Sequence, residues 1–142
     1  MSFVVDASVF LPLVVMYGRR LKNVLEKYEF HVLDLTCYEV CNGLWKESVK
    51  LNRIDGATAS KLCSYFREVV KRYARVHSIL ELDVEKVMRI ALEYNMTVYD
   101  ASYIELAREY SMPIASNDRD ILDNAPKLGV KVYDLENFTK TL

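Results

Sequence analysis

The sequence predicts an α/β fold built on a parallel sheet, and three observations lead there. Short apolar segments alternate with helical patterns of ten or more residues along the whole chain. The first of these segments, Phe3-Val4-Val5, is apolar on both of its faces, as a strand inside a covered parallel sheet must be. Glycine and proline are scarce, four and three among 142 residues, and no linker, internal repeat or low-complexity stretch interrupts the alternation. One domain spanning 1–142 is the expectation.

The elements follow in order. After strand 3–5, residues 8–16 form an apolar helix that tolerates Pro12 in its first turns. Tyr17-Gly18 breaks it, and a second helix over 19–29 carries Leu21, Val24, Leu25 and Tyr28 at helical spacing. The second strand is His31-Val32-Leu33-Asp34-Leu35. Thr36 opens a long helix to Leu51 with Val40, Gly43, Leu44 and Val49 inward. Asp55 caps the next helix, whose Ala59, Leu62, Phe66, Val69, Val70 and Tyr73 trace a 3.6-residue period. Ser78–Leu82 reads as a weaker third strand, followed by a helix over 83–94 with Val87, Ile90, Ala91 and Tyr94 buried. Asp100 starts a helix to Tyr110, and Pro113–Ser116 is a fourth strand ended by Asn117-Asp118. A short helix to Lys127, a fifth strand at Val130–Tyr133 and a final helical turn from Asp134 complete the chain.

Composition narrows the function classes. Apolar residues make up 51% and charged residues 27% of the chain, which fits a soluble globular protein and not a disordered one. A net charge of −1 excludes a strongly basic nucleic-acid wrapper but leaves room for a local basic groove. No apolar run approaches the roughly 18 residues a membrane span needs. The apolar start lacks a basic segment and carries Asp6, which argues against a secretion signal and for a cytoplasmic protein. Cys37, Cys41 and Cys63 contain no C-x-x-C pair, and a zinc site with His31 or His77 would match no common spacing; buried free thiols are the better reading.

Carboxylates cluster by topology. Asp6 follows the first strand, Glu39 lies in the first turn of the helix after the second, and Asp118 follows the fourth, with Asp120 two residues on. In a parallel sheet these positions share one edge, where ligands bind in open α/β folds. Asp100 joins them if its helix docks with its N-terminus on that edge. Each has a structural explanation as well: Thr36-x-x-Glu39 fits a capping box, and Asp6, Asp100 and Asp118 fit N-caps. As a set they repel one another more than helix-start partial charge can offset, and a hard divalent cation, Mg²⁺ or Mn²⁺, resolves that repulsion. Such a site activates water and neutralises charge developing on a phosphate, which makes phosphodiester hydrolysis the natural chemistry.

Four motifs carry a family resemblance: Val4-Val5-Asp6-Ala7-Ser8-Val9, Thr36-x-x-Glu39-x-x-Asn42, Tyr99-Asp100-Ala101-Ser102-Tyr103-x-x-Leu106-Ala107 and Ala115-Ser116-Asn117-Asp118. In this order and spacing the chain resembles PIN-domain nucleases, and among them the VapC ribonuclease toxins of prokaryotic toxin–antitoxin pairs. The resemblance implies a three-layer α/β/α fold with a five-stranded parallel sheet of order 3-2-1-4-5. It implies a catalytic and metal-binding quartet of Asp6, Glu39, Asp100 and Asp118, with Asp120, Ser8, Asn42 and Ser116 as accessories. It also implies a homodimer, an RNA substrate, and inhibition by a cognate VapB-type antitoxin. Ser116 stands where the family usually has Thr, which keeps the hydroxyl.

Other features carry less. Arg119 beside Asp118 is a candidate for holding a phosphate or for pairing with an acidic neighbour. Arg67, Lys71 and Arg75 recur every four residues and read first as a solvated helix face, beside a Glu68–Arg72 pair. Two histidines without an evident acid partner make a nucleophile triad improbable, and no G-x-S-x-G, P-loop or G-x-G-x-x-G is present. A magnesium-dependent phosphatase is an alternative, although its haloacid-dehalogenase form expects an Asp where Ser8 stands. A non-catalytic PIN-like binding module is the non-enzyme alternative.

Overall fold

A computed structural model describes residues 1–142. Five strands form one all-parallel sheet in the order β3-β2-β1-β4-β5. The strands are β1 (Ser2–Val5), β2 (Glu29–Leu33), β3 (Ala74–His77), β4 (Ile114–Ala115) and β5 (Val132–Tyr133). The helices are α1 (Ala7–Tyr17), α2 (Leu21–Lys27), α3 (Asp34–Val49), α4 (Gly56–Tyr73), α5 (Val84–Glu93), α6 (Val98–Tyr110), α7 (Arg119–Asn124) and α8 (Leu135–Lys140). The topology implied by the resemblance is therefore the one observed.

Alternation along the strands divides the core into two layers. Phe3 and Val5 of β1, Phe30 and Val32 of β2 and Ala115 of β4 face the layer built with α1, α2, α3, α4 and α8. Val4, Leu33 and Ile114 face the other, built with α5, α6 and α7. Phe3 is fully buried and meets Tyr28, Tyr133 and Phe138 edge-on, with ring centroids 5.9, 5.5 and 5.0 Å away. That aromatic knot joins the first strand to the last helix, so both ends of the chain stabilise one sheet. No helix is long and apolar enough to cross a membrane.

The third strand departs from expectation. It is Ala74–His77, directly after α4, and the predicted segment Ser78–Leu82 is instead a 3₁₀ turn at Ile79–Glu81 with Ser78 Oγ accepting from the Leu80 amide at 3.1 Å. Of the apolar residues that drew the expectation, Leu82 is buried in the core while Ile79 and Leu80 face outward, Leu80 being 88% exposed. As an edge strand β3 leaves Arg75 and Val76 exposed, one on each face, and so lacks the apolar density of a central strand. Arg75 thereby leaves the helical stripe with Arg67 and Lys71, and its Nε pairs with Glu29 Oε1 at 2.8 Å. Glu68 pairs with Arg67 at 3.1 Å rather than with Arg72. Val49, expected inward, is 55% exposed at the end of α3.

The histidines also differ from expectation. His31 Nδ1 lies 2.8 Å from His77 Nε2 across β2 and β3, His31 Nε2 lies 2.8 Å from Glu29 Oε1, and His77 Nδ1 lies 3.4 Å from Glu81 Oε2. Acid partners are present; no serine or cysteine joins the chain of contacts, so a triad fails for want of a nucleophile.

Replacing Phe3 with Ala empties the junction of these four rings and is expected to destabilise the protein by about 3–5 kcal/mol, read as a lowered urea midpoint at unchanged slope. A cost below about 1 kcal/mol would show that the knot is peripheral to folding.

Candidate active site

Because every strand is parallel, their C-terminal ends share one edge, and the five carboxylates singled out in the sequence stand on it. Asp6 ends β1, caps α1, and is 4% exposed. Its Oδ1 accepts from Ser8 Oγ at 2.6 Å and from the Val9 amide at 3.3 Å, and its Oδ2 accepts from Ser116 Oγ. Each hydroxyl accepts in turn from the chain after β4: Ser8 Oγ from the Asn117 amide at 2.7 Å, Ser116 Oγ from the Asp118 amide at 2.9 Å. Both lone-pair directions and both hydroxyl protons are thus committed to joining the ends of β1 and β4.

Asp118 caps α7, accepting from the Asp120 amide at 2.9 Å. Asp100 is three residues into α6, whose cap is Thr97: the Asp100 amide donates to Thr97 Oγ1 at 3.2 Å. Since α6 leads back toward the start of β4, it runs against the strands and its N-terminus docks on their C-terminal edge. Asp100, Asp118 and Asp120 then each bring a carboxylate oxygen within 4.8 Å of the others. No other set of three His, Cys, Asp or Glu side chains is so close.

Glu39 approaches from α3. The predicted capping box at its base does not form, because the helix begins two residues earlier, at Asp34. Thr36 Oγ1 instead accepts from the Leu33 amide at 3.1 Å and contacts the Tyr103 hydroxyl at 2.7 Å. Tyr103 donates to Glu39 Oε1 at 3.1 Å, so the buried hydroxyls of Thr36 and Tyr103 hold the carboxylate in place.

The expected residues therefore fall into separate roles. Asp100 and Asp118 are in the tight cluster, and Asp120, expected as an accessory, is their third member. Asp6 lies behind them with Ser8 and Ser116 as its donors. Asn42 is exposed one turn from Glu39 and makes no hydrogen bond. Arg119 is exposed and forms no ion pair, which removes its reading as the partner of an acidic neighbour. Tyr103 and Thr97 were not foreseen in these roles. The spacing of Asp100 and Tyr103, three apart on one helical face, is the signal that would have pointed to Tyr103.

The electrostatics are those of crowded anions. Burial pushes the Asp6 carboxyl up to about 6, against the pull of its Ser116, Ser8 and Val9 donors, and Asp118 adds to the rise. Burial and then the Asp118 charge push Asp100 up to about 6, with Asp120 and Asp6 contributing. Glu39 is raised by burial and by Asp118, and lowered by its Tyr103 bond. Tyr103 itself is held neutral by burial. The donor set is all oxygen, carries excess negative charge and contains no lysine or arginine, which fits a hard divalent cation and not a soft one.

The fold and this edge define a PIN domain. The PIN domain model matches residues 3–128, and the chain belongs to that family. Its relatives include Exonuclease VapC9 of Pyrobaculum aerophilum, 33% identical over 85% of this chain and 84% of that protein. Ribonuclease VapC3 of the same organism is 34% identical over 90% of this chain and 98% of its own length. The crystal structure of PAE2754 from Pyrobaculum aerophilum superposes with a TM-score of 0.72 at 30% identity, over 97% of this chain and 86% of that one. A PilT N-terminus domain protein, SSO1118, from Sulfolobus solfataricus P2 shares the fold at a TM-score of 0.58 and 19% identity, over 99% of this chain and 92% of that one.

A carboxyl whose folded value lies above its unfolded value binds more protons in the native state, so it stabilises at low pH and that contribution is lost as pH rises. For Asp6 the window runs from 3.8 to about 6. In chelator, the wild type is expected to lose about 2–3 kcal/mol across this window relative to Asp6→Asn, measured by urea unfolding at each pH. Equal pH profiles for the two proteins would refute the buried-carboxylate account.

Proposed function

We propose that this chain is a divalent-metal-dependent endoribonuclease of the VapC type, with residues 1–142 acting as one nuclease domain. The observation that carries this reading is the close approach of Asp100, Asp118 and Asp120 at an edge backed by buried Asp6, without a basic side chain to neutralise them. The names of the relatives, an exonuclease and a ribonuclease, support a nuclease that acts on RNA. Bound Mg²⁺ or Mn²⁺ supplies charge neutralisation at the scissile phosphate and a more acidic water.

The chain's own residues account for the rest. Asp100, Asp118 and Asp120 would hold the cation, and Asp6, fixed by Ser8 and Ser116, completes the acidic site from behind. Glu39 has Oε1 occupied by Tyr103, which leaves Oε2 to accept a proton from the attacking water. Arg119, exposed at the first turn of α7 beside Asp118, binds a phosphate oxygen and orients the backbone. A phosphatase that uses Asp6 as nucleophile is disfavoured, because both Asp6 oxygens already accept hydrogen bonds in a buried position.

Partners follow from the surfaces. Leu80 precedes α5, and Val84, Met88 and Leu92 recur every four residues along it; these four are 88, 53, 47 and 75% exposed. This uncovered apolar row supports a homodimer. The acidic edge supports inhibition by a VapB-type antitoxin that inserts a cationic segment there.

With a mixed RNA substrate, cutting is expected with Mg²⁺ or Mn²⁺ and not with EDTA, and Asp100→Asn and Asp118→Asn each lose on the order of 10²-fold or more in rate. Arg119→Ala raises KM by about tenfold with a smaller change in kcat. A circular RNA that is also cut establishes internal cleavage. Activity that survives both Asn substitutions would place the chemistry elsewhere, and metal binding without turnover on any RNA would favour the binding module. Met88→Asp is expected to shift the sedimenting species from dimer to monomer; an unchanged dimer would place the interface on another face.

A further inference from the structure

Away from the acidic edge, α3 and α4 face each other through a pair of thiols. Cys41 Sγ on α3 and Cys63 Sγ on α4 lie 2.6 Å apart, 22 positions from each other along the chain. Both are half-buried, and with Cys37 they line an open apolar cavity of about 580 Å³ that also presents Arg67 and Lys71. Cys37, one turn before Cys41 on the same helical face, contacts neither sulfur at hydrogen-bond distance. Glu39 is two residues from Cys41 and so points to the other side of α3.

From this juxtaposition we propose that Cys41 and Cys63 are an oxidative modification site, closed to an α3–α4 disulfide by exchange with a low-molecular-weight disulfide that carries carboxylates. Three features of the structure assign it. The two sulfurs are aimed at each other across a helix pair, so closure shortens a contact that is already made. The cavity admits a small molecule to both sulfurs. Lys71, which forms no ion pair, gives the cavity a cationic side that suits a carboxylate-bearing reagent, beside an Arg67 already paired with Glu68. The proposal does not rest on the nuclease reading.

The exchange balances in two steps. The Cys63 thiolate, one turn from the Arg67 guanidinium, attacks one sulfur of the external disulfide; its S–S bond breaks and the first small thiol departs, taking up the proton that Cys63 released. The Cys41 sulfur then attacks Cys63 Sγ and expels the second small thiol, which takes the Cys41 proton. Two protein thiols are oxidised and one external disulfide is reduced to two thiols. Burial, and then Cys63 beside it, raise the Cys41 thiol well above its ordinary range, which suits the resolving role rather than the first attack.

The chain tested is the full protein, incubated with oxidised glutathione and then alkylated and weighed. The expected result is loss of two hydrogens, one alkylatable thiol remaining, and a Cys41–Cys63 cross-linked peptide in the non-reduced digest. The oxidised form is expected to melt about 10 °C above the reduced form. Cys37→Ser keeps the cross-link, Cys41→Ser abolishes it and retains a single glutathione adduct on Cys63, and Cys63→Ser abolishes it and leaves Cys41 unmodified. Melting of each reduced variant beside reduced wild type separates loss of the bond from loss of the fold. Three alkylatable thiols after incubation, a stable adduct on the wild type, or a cross-link through Cys37 would each overturn the proposal.

Discussion

The interaction on which the rest depends is the pair of serine hydroxyls that hold Asp6. A carboxylate at the end of a fully buried central strand is destabilising unless its oxygens find donors. Here the donors are Ser8, in the first turn of the next helix, and Ser116, at the end of the neighbouring strand. Because each hydroxyl also accepts an amide from the segment 117–118, satisfying Asp6 at the same time fixes where Asp118 begins α7. Asp6 and Asp118 are therefore not independent side chains on a scaffold. With Ser8 and Ser116 they form one hydrogen-bonded unit whose geometry is the same fact as the pairing of β1 with β4.

That unit is held at a cost in charge. Asp6 and Asp100 are both pushed up to about 6, each by burial first and by neighbouring carboxylates after it. A region selected only for stability would replace one of them with a neutral side chain of similar shape. Retaining crowded, buried anions at the ligand-binding edge of a parallel sheet is the arrangement expected where cation affinity is the purpose. Under the proposed function, a cation that binds the folded state and not the unfolded one would return the stabilisation withheld in the free protein.

Much of this was legible in the sequence because the relevant signals are local. Phe3-Val4-Val5 followed by Asp6 announces a buried strand ending in a carboxylate, and the Asn117-Asp118 break after an apolar segment announces a second. The third strand was not legible: Ala74–His77 is an edge strand with two outward residues, while the more apolar Ser78–Leu82 places Leu80 in solvent. The long helix was misplaced by two residues because Thr36 looks like a cap, yet its hydroxyl reaches back to Leu33 from inside the helix. Tyr103 and the promotion of Asp120 depend on how α6 docks against α7, and the histidine contacts depend on the register of β2 against β3. Those are tertiary facts that no window of sequence contains.

The position of Asp100 shows why the site needs both layers of the core. Asp6 and Asp118 are placed by the sheet itself, and Glu39 by a helix that leaves a strand end directly. Asp100 alone arrives on a helix running the opposite way, so its distance from Asp118 is set by how far α6 slides along the sheet. Val4, Leu33 and Ile114 offer that helix its apolar seat, and residues 101–107 of α6 are buried all round, which leaves little freedom to slide. Tyr103, on the same face as Asp100, reaches across to Thr36 and Glu39 of α3 and ties the helix to the first turns of another. A displacement of α6 would thus separate Asp100 from Asp118 and release Glu39 together. The tyrosine hydroxyl couples the two halves of the acidic edge, and it makes the site's geometry a property of the closed fold rather than of any single element.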